Sequence, residues 1–135
     1  MDLIIDANIF IAALISPRGH TADLFFLDAL RLYAPEFLLE EIDEHEEEIV
    51  LKTGLSEVKF HQAVTFLRTQ IRFVPVIEFL SFLPRAKEIS PDVDDVAYFA
   101  LALKQRCSLW SNDKLLKSQS AVKVFSTSEL IQFLS

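Results

Sequence analysis

Residues 2–16 read DLIIDANIFIAALIS, and this stretch decides the fold class. DLIID (2–6) is a short apolar run, which predicts a buried strand ending at Asp6. ANIFIAALIS (7–16) is a helical apolar run, stopped by Pro17-Arg18-Gly19. The same alternation repeats along the chain. Thr21 predicts the cap of a second helix reaching Leu30, RLYA (31–34) a second strand, and Pro35 the start of a long helix to about Lys52. Thr53-Gly54 breaks that helix, and Ser56 caps another to about Ile71. RFVPV (72–76) predicts a third strand, with Pro75 demoting it toward an edge. Residues 78–88 are weakly helical in pattern, and Ser90-Pro91-Asp92 opens a strong helix through about Gln105. CSLW (107–110) and VKVF (122–125) are the last strands, separated by a short helix from 112. Ser126 or Thr127 caps a terminal helix. About five short apolar strands alternating with helices predict an α/β fold with a central, mainly parallel sheet covered on both faces.

Composition narrows the chemistry. The 135 residues fit one domain, 1–135, and 51% are hydrophobic, 12 of them Phe, which excludes a disordered chain. Gly occurs only at Gly19 and Gly54, so neither a Walker loop nor a dinucleotide fingerprint can be built. The one Cys, Cys107, excludes an internal disulfide and a Cys-based zinc finger. His20, His45 and His61 form no H-E-x-x-H arrangement. No segment approaches the ~18–20 apolar residues of a membrane helix. There is no export signal after Met1-Asp2, and so few cysteines fit a reducing compartment; the expectation is a cytoplasmic protein. The dominant functional material is carboxylate: 20 Asp and Glu against 13 Lys and Arg, net charge −7. That balance argues against non-specific binding of phosphate chains. It serves either solubility or the holding of a cation, and position along the chain separates the two.

Ligands of open α/β sheets bind at the carboxyl ends of strands. Asp6 closes the first strand and Asp113 follows CSLW by three residues, so both reach one rim. Asp92, Asp94 and Asp95 sit at the opening of the 92–105 helix, whose N-terminus tolerates their charge. EEIDEHEEE (40–48) is the densest charge run, within a helix pattern. At ~100° per residue, Leu38, Ile42, His45 and Ile49 form one apolar stripe. Glu41 then lies about 70° from its centre and Glu40 on nearly the opposite side, so Glu41 is the better placed of the two. Glu46 and Glu48 also flank the stripe, farther from the strand that delivers the helix. Plainer readings exist for each residue. Asp6, Asp113 and the Asp92–Asp95 group suit turn and helix caps, Glu41 a border charge, and His45 a half-buried core position. Asn8 and Ser111 suit turn hydrogen bonds. What favours a site is the coincidence of several acids at one rim.

Four segments in order resemble the PIN-domain nuclease family, which includes VapC-type toxins. They are LIIDANIF (3–10), APEFLLEEI (34–42), PDVDDVAYFALALKQRC (91–107) and LWSNDKLL (109–116). Residues 53–90 add little. The resemblance implies a three-layer α/β/α sandwich with an acidic pocket holding Mg²⁺ or Mn²⁺, and metal-dependent cleavage of RNA. By matching position it implies Asp6, Glu41, Asp95 and Asp113 as catalytic metal ligands and Asp92 as an additional acid. Asn8 and Ser111 match accessory polar positions. Glu40 competes with Glu41, and Asp94 with Asp95, although Asp95 keeps the spacing to YFALA. The resemblance also implies an antitoxin partner and a homodimer.

Arg18, Lys114 and Lys117 are the basic residues nearest the expected rim and are candidates to grip flanking phosphates, or ordinary surface charges. Two alternatives compete: a non-catalytic PIN-like binding module, and a phosphohydrolase with Asp6 as nucleophile. The second lacks the acid it needs at position 8, where Asn8 stands.

Overall fold

The computed structural model describes residues 1–135. Its centre is β1 (Asp2–Ile5), in which Leu3, Ile4 and Ile5 are completely buried. A strand buried on both faces needs cover from two layers, and it has them. β2 (Arg31–Pro35), β3 (Ile71–Val74), β4 (Ser108–Trp110) and β5 (Val124–Phe125) complete a parallel sheet in the order β3-β2-β1-β4-β5. Leu3 pairs in register with Leu32 on one side and Ser108 on the other.

The strand order decides where the helices go. Right-handed crossovers put the helices of β1→β2→β3 on one face and those of β3→β4 on the other. The first group is α1 (Ala7–Ile15), α2 (His20–Phe25), α3 (Phe37–Glu44), α4 (Glu46–Thr53) and α5 (Glu57–Arg68). The second is α6 (Leu83–Ile89) and α7 (Val96–Gln105), the latter packed on β1, β2 and β4. α8 (Thr127–Leu134) follows β5, opened by a capping box between Ser126 and Glu129. The result is the α/β/α sandwich. Trp110, Tyr98, Phe10, Phe60, Phe79 and Phe99 are its largest fully buried side chains. No helix is long and apolar enough to cross a membrane.

Most predicted elements are present, with several local differences. The helix expected from Pro35 to Lys52 is interrupted at His45 (φ −105°, ψ 13°), which separates α3 from α4. Leu38, Ile42 and Ile49 are buried as the stripe requires, but the interruption leaves His45 exposed. The second helix begins at His20, before Thr21, with Gly19 at the cap position and no side-chain cap, and it ends at Phe25 rather than Leu30. The strong helix after Pro91 starts as a 3-10 turn (Val93–Asp95), so the α-helix proper begins at Val96. The short helix after β4 is likewise 3-10, Lys114–Ser118. Pro35 ends β2 instead of opening the helix, which begins at Phe37, and Ile71 opens β3 while α5 ends at Arg68. Other local signals act as expected. Ser56 accepts a hydrogen bond from Lys59 N (3.2 Å), Gly54 ends α4 in the left-handed region (φ 69°), and β3 is an edge strand that stops before Pro75.

Candidate active site

The strand order reverses between β1 and β4: the chain builds leftward from β1 to β3, then returns to the other side of β1. A crevice opens above the carboxyl ends of strands at such a switch point. Asp6 and Ser111, the residues that follow β1 and β4, are the only polar or charged residues counted in the interior.

Asp6 is only 4% exposed. Its Oδ1 accepts from Ile9 N (3.0 Å), capping α1, and its Oδ2 accepts from the Ser111 hydroxyl (2.5 Å). Burial pushes the Asp6 pKa up; those two hydrogen bonds oppose the shift, and the charge of Asp113 adds to it. Ser111 Oγ in turn accepts from Asp113 N (3.1 Å), so one hydroxyl joins the β1 acid to the backbone of the β4 exit. Asp113 Oδ1 accepts from Leu115 N (3.0 Å) and caps the 3-10 turn.

Glu41 comes from α3 and is half-buried, while Glu40 is exposed. The Tyr98 hydroxyl donates to Glu41 Oε1 (2.5 Å) from the opposite helical layer. Burial raises the Glu41 pKa, the Tyr98 hydrogen bond opposes this, and the charges of Asp6, Asp94 and Glu44 reinforce it. Asp95 stands at the cap position of α7, half-buried, whereas Asp94 is exposed. Its pKa is pushed up to about 7, first by burial and then by the charges of Asp6, Asp92, Asp113 and Glu41. Asp92 Oδ1 accepts from Asp94 N (2.9 Å). Four acids, Asp6, Glu41, Asp92 and Asp113, thus act on one carboxyl group. The capping readings are also real: Asp6, Asp92 and Asp113 each hold the turn that follows them.

A family model of the PIN domain matches residues 4–134. The chain belongs to the PIN-domain family. No curated protein shows significant similarity to it. Two solved structures share the fold of this PIN domain. One is VapBC2 from Rickettsia felis bound to a DNA fragment from their promoter, at 11% identity, TM-score 0.69, covering 93% of this chain and 98% of that one. The other is PAE2754 from Pyrobaculum aerophilum, at 14% identity, TM-score 0.64, covering 99% and 89%. PIN domains are in general nucleases, so the family supports a hydrolase of nucleic acid.

The donor set of this PIN domain suits a hard divalent cation. All its members are carboxylates, which favour Mg²⁺ or Mn²⁺ over softer ions. Like charges and burial raise the pKa values, and a bound cation offsets both. No three of the His, Cys, Asp or Glu side chains stand close enough to enclose an ion. The acids therefore form an open electrostatic cluster, and ligation requires the side chains to close in.

The remaining expected residues divide. Lys114 is exposed directly beside Asp113. Lys117 is held by the Glu129 carboxylate at the start of α8. Arg18 lies beyond the far end of α1, a nine-residue helix that begins at the rim. Such a helix spans roughly 14 Å, so Arg18 is carried away from Asp6 rather than beside it. Asn8 is exposed on the first turn of α1, in a groove with His45, Glu48 and Lys52, and makes no hydrogen bond to the acids. Tyr98 was legible only as part of the apolar YFALA run. Its signal is its position three residues after Asp95, on the same face of the helix.

Proposed function

We propose that this PIN domain is a metal-dependent endoribonuclease that hydrolyses RNA phosphodiester bonds at the acid cluster around Asp95. The reading extends to a cytoplasmic toxin of a toxin–antitoxin pair, working as one domain over 1–135. What supports it is the placement at the switch point: buried Asp6 is joined through Ser111 to the Asp113 turn, and half-buried Glu41 and Asp95 stand near enough for their charges to act on one another. Separate capping roles do not require four other acids to meet there.

In this reading Asp6, Glu41, Asp95 and Asp113 hold Mg²⁺ or Mn²⁺, with Asp92 as an additional acid. A divalent ion held there would supply activation of a water and neutralisation of phosphate charge. The chain's own residues prepare that place. Ser111 fixes the Asp6 carboxylate and the start of the Asp113 turn, an orienting role typical of groups behind metal ligands. The core beneath Asp6 excludes water from its inner side. Lys114 offers the nearest cation for a flanking phosphate. Asn8, exposed on the first turn of α1, is the further candidate to orient a ligand or water. An Asp6-nucleophile mechanism is disfavoured because Asn8 brings no acid to Asp6.

The association of VapBC2 supports an antitoxin as the partner, and the exposed Phe26, Leu27 and Phe66 support contact with that partner or a second copy. The test is cleavage of several RNAs with Mn²⁺ by the wild type and by Asp6→Asn. Cleavage by the wild type and its loss in the variant are expected. Equal activity, or none from either protein on any RNA, sinks the nuclease reading.

A further inference from the structure

Tyr98 presents an unusual combination. Its ring is 1% exposed, within the apolar core, and the Phe37 ring lies 6.4 Å away. Yet its hydroxyl ends on a charged group, Glu41 Oε1 at 2.5 Å. A buried hydroxyl without a partner costs roughly 1–3 kcal/mol, and Glu41 is the partner it has. The bond spans 57 residues of sequence and joins α7 to α3, the helices on opposite faces of the sheet. Asp95 lies three residues earlier on α7. One helix thus carries both an acid of the cluster and the donor that orients another acid. A glutamate has three rotatable side-chain bonds, so an unguided Glu41 would sample many directions. The other oxygen, Oε2, is left without a protein partner.

We propose that Tyr98 is a positioning residue: it holds Glu41 Oε1 so that the free oxygen of Glu41 faces Asp6 and Asp95 for cation binding. This rests on the metal-site reading above. The test measures Mn²⁺ affinity by calorimetry for the wild type, Tyr98→Phe, Glu41→Gln and the double variant, with circular dichroism to confirm folding. Removing an orienting partner weakens metal binding by about 10- to 100-fold, and Tyr98→Phe is expected in that range. Because Tyr98 acts through Glu41, the double variant is expected to bind no more weakly than Glu41→Gln alone. A purely structural role for Tyr98 gives additive losses, which overturns the proposal. Unchanged affinity in Tyr98→Phe also overturns it, while leaving the metal site standing. Absence of Mn²⁺ binding by the folded wild type overturns both readings. Should Tyr98→Phe not fold, Glu41→Asp withdraws the carboxylate from an untouched ring, and a comparable loss of affinity is expected. Wild-type affinity in Glu41→Asp would overturn the proposal.

Discussion

Asp95 and Ser111 show how much a single side chain does at this rim. The folded pKa of Asp95, about 7, lies above its ordinary value of 3.8. A carboxyl shifted in that direction stabilises the fold fully below about pH 4, and the contribution is lost as pH rises through about 7. Asp6 and Glu41 shift the same way. The metal-free protein is therefore expected to melt at a higher temperature at pH 5 than at pH 8. Asp95→Asn is expected to flatten that dependence and to raise the pH 8 melting temperature, measured with a chelator present. A steeper dependence in the variant would contradict the account. Glu129 has the opposite sign, lowered to about 2 chiefly by Lys117, so its contribution fades only in strong acid and leaves this window clear. Ser111→Ala removes a buried donor to Asp6 and a part-buried acceptor for Asp113 N. The expected destabilisation is about 1–3 kcal/mol by denaturant unfolding. The sequence exposed Asp6 and Asp113 because strand ends are readable from apolar runs. It exposed Glu41 over Glu40 because helical angle is arithmetic. It did not expose Tyr98, since a tyrosine in an apolar helix reads as core until its hydroxyl is seen to meet a charge.

At the scale of elements, local signals located the strands well, and the helices failed where packing overrode pattern. The break at His45 is an example. Acids fill the first turn of α4, Glu46, Glu47 and Glu48, which suits a helix start and its dipole. Within the charge run that signal is indistinguishable from the solvated face of one continuous helix. Asp92 differs in the same way: its carboxylate caps a 3-10 turn, and α7 begins one turn later. Gly54 is the clearer case of legible local chemistry, with φ 69° ending α4 and open space where a Cβ would go. Gly54→Ala is therefore expected to cost about 1 kcal/mol through backbone strain alone, with Mn²⁺ affinity unchanged. Ser126→Ala, which dismantles the α8 capping box, is expected to cost about 1 kcal/mol. Asn112 Oδ1 and Trp110 Nε1 tie the β4 exit to Thr127, so that end remains anchored without the box.

For the whole molecule, the net charge of −7 has two separate parts. Exposed acids of α3 and α4 give a phenylalanine-rich domain a charged outer face, while the rim acids repel one another. Raising salt screens that repulsion, and Mn²⁺ relieves it more directly. Both are expected to raise the melting temperature, Mn²⁺ at far lower concentration, with the Mn²⁺ increment reduced in Asp113→Asn. An equal increment in that variant would place the ion elsewhere. With Arg18 distant and Lys117 engaged by Glu129, few cations remain to hold phosphate. RNA affinity is expected to fall only shallowly with salt, and Lys114→Glu is expected to weaken it and make that slope shallower still. The pairing of β4 with β1 also sets a timetable. Asp6 and Glu41 lie in the first third of the chain, Asp95 and Asp113 in the last, and Leu3 must wait for Ser108. Chains fold from the N-terminus as they leave the ribosome. A nascent or prematurely terminated copy holds half of the acids and an unpaired flank on β1. Such a product lacks Asp95 and Asp113, and the four acids share one rim only once synthesis has passed β4.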